Sequence, residues 1–141
     1  MTHLKTAVLA LALLCAPLLR AQSNVQLVEN NGKMALFAVE AAAPKAGDVA
    51  SAAIRALFVT LLDEGVEGFA EGKKLMQKPN AKWRENFLKE KNPPYLTYVK
   101  GIQTEGEPLK SPVGDYRAIV LVRLNADFLF RQLKAYGILN R

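Results

Sequence analysis

Ten residues near the C-terminal end constrain the fold of this chain more than any others. From Asp115 to Leu124 the side chains alternate, with Tyr116, Ala118, Val120, Val122 and Leu124 on one side and Arg117, Ile119, Leu121 and Arg123 on the other. A period of two marks an extended strand, because successive Cβ atoms leave opposite faces of the pleat. Both sides carry large apolar groups, since Ile119 and Leu121 oppose the more continuous apolar face. A sheet with one face in water is polar on that face. The sheet that contains this strand is therefore expected to be covered on both faces.

Its partners are legible at lower contrast. Val25–Val28 and Met34–Ala41 are β-tolerant runs joined through Asn30-Asn31-Gly32-Lys33, and Asn-Gly is the strongest short-range hairpin signal. Tyr95–Thr104 reads as a further strand, separated from the last one by a polar loop with Gly106, Pro108, Pro112 and Gly114. Asp48 is placed to cap a helix running to about Glu64, where Val49, Ile54, Leu57, Phe58, Leu61 and Leu62 recur at helical spacing. Asn80 is placed to cap a short helix through about Lys91, with Trp83 and Phe87 on one face. Asn125 heads the last helix, whose buried side is expected from Phe128, Leu129, Leu133 and Tyr136, with Gly137 as its stop. The order strand–strand–helix–short helix–strand–strand–helix, or ββα-α-ββα, predicts an α+β two-layer sandwich. Its sheet is mostly antiparallel, with helices packed on one face. On the second face the expected apolar residues are Phe37, Val39, Val99, Ile119 and Leu121, a candidate partner surface. Three covers are open for it: the segment 66–92, a second copy, or a partner protein.

The N-terminus bears on where the protein works. Lys5, the apolar run from Thr6 to Cys15 and a polar exit ending Leu19-Arg20-Ala21 have the layout of a secretory signal peptide. The run is about ten residues, and a membrane-spanning helix needs roughly twenty. The expectation is a signal over residues 1–21 and a single exported domain over 22–141, periplasmic or secreted. Leu14, bulky where a lipobox wants a small residue, argues against a lipidated Cys15. His3 and Cys15, the only histidine and the only cysteine, both fall in the signal. A chain beginning at Gln22 thus lacks the usual proton-transfer group near neutral pH, the usual thiol nucleophile, and the nitrogen and sulfur ligands of zinc, copper and iron sites. No cofactor, no metal site and no catalytic residue are expected.

Removing the signal takes Lys5 and Arg20 and leaves all 13 acids, so the net charge drops from +6 to +4. The excess is concentrated in residues 73–91, where Lys73, Lys74, Lys78, Lys82, Arg84, Lys89 and Lys91 stand against Glu85 and Glu90. This basic segment is a candidate surface for an anionic glycan or a membrane; export argues against nucleic acid. A solvated helix face is the simpler account of such a charge run. Gly65, Gly68 and Gly72 are read as turns, since Gly72-Lys73-Lys74 follows a helix and lacks the Ser/Thr of a phosphate loop. A small enzyme would be left with carboxylate chemistry, the acids Asp63, Glu64, Glu67 and Glu71 being densest, or a Ser–Lys pair built on Ser23, Ser51 or Ser111.

From Gly65 to Leu139 the chain resembles small exported envelope proteins of Bacteroidota. The resemblance rests on Gly65-Val-Glu-Gly-Phe69, Tyr95-Leu-Thr-Tyr-Val99, Tyr116-Arg-Ala-Ile-Val-Leu-Val122 and Gly137-Ile-Leu139. The same stretch is similar to the strand–helix–strand–strand–helix module of the flagellar T protein N-terminal domain and of the twenty-kilodalton lipoprotein type. The chain departs from these in its weak lipidation signal and in having no second domain of the flagellar kind. The resemblance implies an envelope-associated binding or assembly module, non-enzymatic, and carries over no site residues. An envelope protein or self-association through the second sheet face is the partner expected.

Overall fold

The computed structural model describes residues 24–140. Residues 1–23, with His3, Cys15 and Ser23, and residue 141 lie outside the described residues. The elements are β1 (Val25–Asn30), β2 (Met34–Ala43), α1 (Val49–Asp63), α2 (Ala81–Phe87), β3 (Val99–Thr104), β4 (Leu109–Lys110), β5 (Tyr116–Asn125) and α3 (Ala126–Ala135), with short 3-10 turns before α1, within the 66–80 connection and before β3. The strands form one antiparallel sheet in the order β1-β2-β5-β3, and β4 pairs with β5 beyond the end of β3. The α+β architecture expected from the sequence is therefore observed. None of the helices described is long and apolar enough to cross a membrane.

The two hairpins form where turn chemistry demands them. At Asn31-Gly32-Lys33 the Asn31 carboxamide oxygen accepts from the Lys33 and Met34 amides, at 2.9 and 2.8 Å, and Gly32 takes φ +92°. Such a φ is nearly free only for glycine. Between β4 and β5 the Ser111 amide donates to the Asp115 carbonyl at 2.7 Å, closing a five-residue loop.

β2 and β5 form the longest pairing, in register from Met34↔Asn125 to Ala43↔Tyr116. Ala35, Phe37, Val39, Ala41 and Ala43 therefore share a face with Val120, Val122 and Leu124, and α1 buries Val49, Ala53, Ile54, Leu57, Phe58, Leu61 and Leu62 against this face. Fully burying side chains of this size stabilises by about 1.5–3 kcal/mol each before chain entropy is subtracted.

The connection after α1 is held by backbone as well as by rings. Leu75 and Met76 amides donate to the Leu61 and Leu62 carbonyls at 2.8 and 3.1 Å, satisfying acceptors that the last helical turn leaves unpaired. Phe69 meets Phe37 edge-on at 5.0 Å and stacks on Phe130 at 5.2 Å. Farther along, Phe87 packs edge-on to Phe58 at 5.8 Å and stacks with Trp83 at 4.6 Å, while Tyr95 stacks on Phe58 at 4.8 Å. Residues 66–92 thus pack on the helical side of the sheet, which removes them from the three covers considered for the second face.

Several local expectations are corrected. Asp48 stands at the N-cap of α1 without a side-chain cap bond, because a 3-10 turn at Ala46–Asp48 leads into the helix. Asn80 and Asn125 do cap, accepting from the Trp83 and Phe128 amides, each at 3.0 Å. α2 stops at Phe87, short of Lys91. Pro94–Tyr98 is a 3-10 turn, so the strand expected from Tyr95 starts only at Val99; Pro94 has no N–H to give a ladder, and Tyr95 and Tyr98 turn inward to the aromatic cluster. Tyr136 is 58% exposed, past the end of the buried stripe of α3.

Gly65 ends α1 at φ +92°, and a Cβ there would stand 2.5 Å from the Gly72 carbonyl oxygen. Gly65→Ala is expected to cost more than about 1 kcal/mol, whereas Gly47→Ala, facing open space at negative φ, is expected to be neutral within about 0.5 kcal/mol. Urea denaturation of the two variants checks both.

Candidate functional site: the uncovered sheet face

The pleat sends Met34, Leu36, Ala38, Glu40 and Ala42 of β2, and Arg117, Ile119, Leu121 and Arg123 of β5, to the side away from the helices. The register sets Leu36 opposite Arg123, Ala38 opposite Leu121 and Glu40 opposite Ile119. Gln26 extends the central row beyond Ala38 on β1, and Gln103 extends it beyond Leu121 on β3. Met34, Leu36, Ile119 and Leu121 are partly buried and stand outside the core cluster beneath the helices, while Ala38 is buried, at 4% exposure. Among the described residues, no helix or loop is packed over this face.

Of the residues expected to make a partner surface, the structure brings only Ile119 and Leu121 together here. Phe37 and Val39 are both 0% exposed beneath α1. Their run is apolar at every position, so the sequence could not show which half of the alternation faced the helices; pairing with β5 decides it. Val99 lies opposite Leu124 and packs against the core. Met34, Leu36 and Ala38 are the members that the sequence reading placed on the wrong side. The signal that could have found them is Glu40, whose charge falls in phase with them.

The charged groups on the outward side include Glu40, Arg117 and Arg123, Glu29 opposite Leu36 on β1, and Glu105, whose amide donates to the Ile119 carbonyl. Arg117 reaches Asp115 at 3.4 Å. Arg123 lines a shallow hollow of about 300 Å³ with Glu29, Met34 and Leu36. Glu40 is half-buried, and neither it nor Arg123 makes an ion pair among the described residues.

The basic segment is dispersed. Lys73, Lys74, Lys78, Lys82, Lys89 and Lys91 are exposed, and Arg84 is bound bidentately to Asp63, at 2.6 and 3.2 Å. The Asp63 hydrogen bond holds the Arg84 guanidinium pKa above its ordinary value. Lys73 and Lys74 join Lys134 on an open groove of about 910 Å³, whose walls also include Glu64, Glu71, Gln77, Phe130 and Leu139. One side of this groove is a left-handed turn, with Ala70, Glu71 and Gly72 at φ +53°, +59° and +75°. Two consecutive non-glycine residues in that region cost roughly 1–2 kcal/mol each. Phe69 in the core and the Gly65 contact behind Gly72 hold the turn in place.

The residues weighed for catalysis do not assemble. Asp63 pairs with Arg84, Glu71 lies 3.8 Å from Lys73, and Ser51 is exposed on α1. The Ser111 hydroxyl donates to the Asp115 carboxylate inside the β4–β5 turn. Among the described residues no group of three or more metal-ligating side chains converges. The sequence matches no family model, and no curated protein or solved structure matches it.

The Ser111 hydrogen bond, opposed in part by desolvation and supported by Arg117, holds the Asp115 carboxyl below its ordinary value. A depressed carboxylate contributes stability that is complete above the unfolded-state pKa and is lost as pH falls through the folded-state value. Asp115→Asn is therefore expected to lower the Tm at neutral pH and to melt with the wild type in acid below both values, as followed by circular dichroism. Arg84→Ala is expected to cost no more than about 1 kcal/mol, because both partners of the pair are about one-third exposed; urea denaturation checks it.

Proposed function

We propose that the protein is a non-enzymatic, exported interaction or assembly module of the cell envelope, and that it works through the uncovered sheet face. The observation that carries this reading is the apolar surface formed by Met34, Leu36, Ile119 and Leu121 on the side of the sheet on which none of the described helices packs. Leaving four large apolar side chains partly in water forgoes stabilisation of about 25 cal/mol for each Å² left wet. A partner recovers it. The leader-like N-terminus and the confinement of His3 and Cys15 to it support an extracytosolic role based on contact instead of proton or thiol chemistry.

A photo-cross-linking residue at position 121, in cells expressing the full chain, is expected to give protein adducts. The same residue at the exposed position 51 is expected to give none. N-terminal sequencing of the recovered protein is expected to begin at Gln22. Equal labelling at the two positions, or a protein that starts at Met1, would overturn the reading.

A second reading, attachment to an anionic glycan or membrane surface, is favoured by one observation: Lys73, Lys74 and Lys134 converge on the groove beside the strained turn. It predicts retention on heparin that falls steeply with salt. Replacing all three lysines by Ala should abolish this retention, while Arg84→Ala should leave it unchanged because Arg84 is already engaged by Asp63. Retention that persists in the triple variant would exclude the groove.

A further inference from the structure

The groove beside the strained turn has walls that backbone hydrogen bonds hold in place. One wall comes from α3, where Phe130 and Lys134 stand four residues apart and so share a face; the others come from the turn at 70–72, the segment after it and the tail that follows α3. The Gln77 and Lys78 amides both donate to the Ile138 carbonyl, at 2.9 and 3.1 Å, and the Asn140 amide donates to the Gln77 side-chain oxygen at 3.0 Å. The Gly72 and Lys73 amides donate to the Phe69 and Ala70 carbonyls, at 2.9 and 3.0 Å, which closes the turn. Behind it the backbone of residues 72–74 passes Gly65 so closely that a Cβ there would stand 2.8 Å from the Lys73 carbonyl carbon. Walls fixed in this way lose little freedom when a ligand enters, which is how a preorganised site gains affinity. The groove's volume of about 910 Å³ is in the range of small-molecule sites, about 300–1,000 Å³.

The lining is chemically mixed. Lys74 and Lys134 make no ion pair among the described residues; Lys73 has Glu71 at 3.8 Å, but those side chains are 69% and 85% exposed, so water screens the contact. Glu64 stands in the same walls, so three bases face two acids and the excess is one positive charge. Half-buried Phe130, stacked on Phe69 at 5.2 Å, and half-buried Leu139 add an apolar patch. A densely charged polymer fits this lining poorly. It would meet two carboxylates, and Lys78, Lys82, Lys89 and Lys91 lie outside the groove instead of continuing it as a basic track. A bilayer fits it no better, because a flat surface does not reach an apolar patch set inside a concavity. We infer that the groove takes a short acidic saccharide with isolated carboxylates. One carboxylate balances the excess charge among the three lysines, sugar hydroxyls donate to Glu64 and Glu71, and the apolar C–H face of a sugar ring lies on Phe130 and Leu139. This ligand class rests on the second reading above, that the groove is an anion site, and narrows it.

Isothermal titration of the full chain with a hyaluronan tetrasaccharide, which carries a carboxylate on every second sugar, tests the inference, each variant being checked for wild-type circular dichroism. The tetrasaccharide is expected to bind at least tenfold more tightly than chitotetraose, an uncharged chain of the same length. Its affinity is expected to fall less steeply with salt than retention on heparin does, because fewer charges are neutralised. Joint replacement Lys73→Ala, Lys74→Ala and Lys134→Ala is expected to weaken binding at least tenfold. Phe130→Leu, which keeps an apolar side chain and removes the flat ring, is expected to weaken it at least threefold with the salt dependence unchanged; if that variant does not fold, Leu139→Ser makes the same test. Lys82→Ala and Lys89→Ala, outside the groove, are expected to leave it unchanged. Tetrasaccharide binding that is absent, that chitotetraose equals, or that survives the triple replacement overturns the inference, and so does wild-type affinity in the variant that alters the apolar patch. Heparin separates this outcome from the fate of the second reading: retention lost in the triple variant, without tetrasaccharide binding, overturns the saccharide class and sustains the anion site, whereas retention that persists there overturns the second reading. Binding to phosphatidylglycerol vesicles that needs the three lysines, with none to the tetrasaccharide, assigns the groove to a membrane surface and overturns the inference.

Discussion

Every other part of the structure is placed by the seating of α1 on the face that β2 and β5 share. The helix supplies Leu57, Phe58, Leu61 and Leu62, and the strands supply Phe37, Val39, Val120, Val122 and Leu124, all of them almost fully buried. No disulfide joins the described residues, so this apolar contact has to outweigh the conformational entropy of the chain by packing. Phe58 is the pivot. Its ring meets Phe87 and Tyr95, and through them Trp83 and Tyr98, so the aromatic residues between positions 83 and 98 are anchored on one turn of one helix.

That anchoring has a consequence for the other side of the sheet. The middle segment, with its glycine turns and basic residues, is drawn to the helical layer by Phe69, Leu75, Met76 and Phe87, and nothing in it remains to cover the outward face. The core is complete without that face. The apolar residues Met34, Leu36, Ile119 and Leu121 stand outside the core cluster that the helices cover. The acids and bases tell a similar story by contrast. Asp63, Glu71, Asp115 and Asp127 each have a basic partner nearby, while Glu40 and Arg123 on the outward face have none among the described residues.

Local order in the chain was legible where a backbone requirement is met by one residue type. Asn31-Gly32 announced the first hairpin; Asn80 and Asn125 announced their helices; Gly65 and Gly137 announced helix ends, and both adopt positive φ. Legibility failed where two structures satisfy the same local pattern. Tyr95–Tyr98 has strand-like composition, yet the aromatic cluster claims both tyrosines and winds the segment into a 3-10 turn. Arg84 looked like one more member of a basic run until a carboxylate twenty-one residues earlier in sequence was brought to 2.6 Å of it.

By itself the sequence determined the α+β class, the central strand and its alternation, the main helix, and the presence of more apolar strand surface than one helical layer can cover. These follow from periodicity and turn chemistry, which act over a few residues. The tertiary structure alone decided which face of β2 is open. A run such as Ala35-Leu36-Phe37-Ala38-Val39 is apolar in both phases, and only the β5 register and the helix lying across it separate inside from outside. The position of Glu40 relative to Arg123 is decided in the same way, because a distance between strands exists only once they are paired.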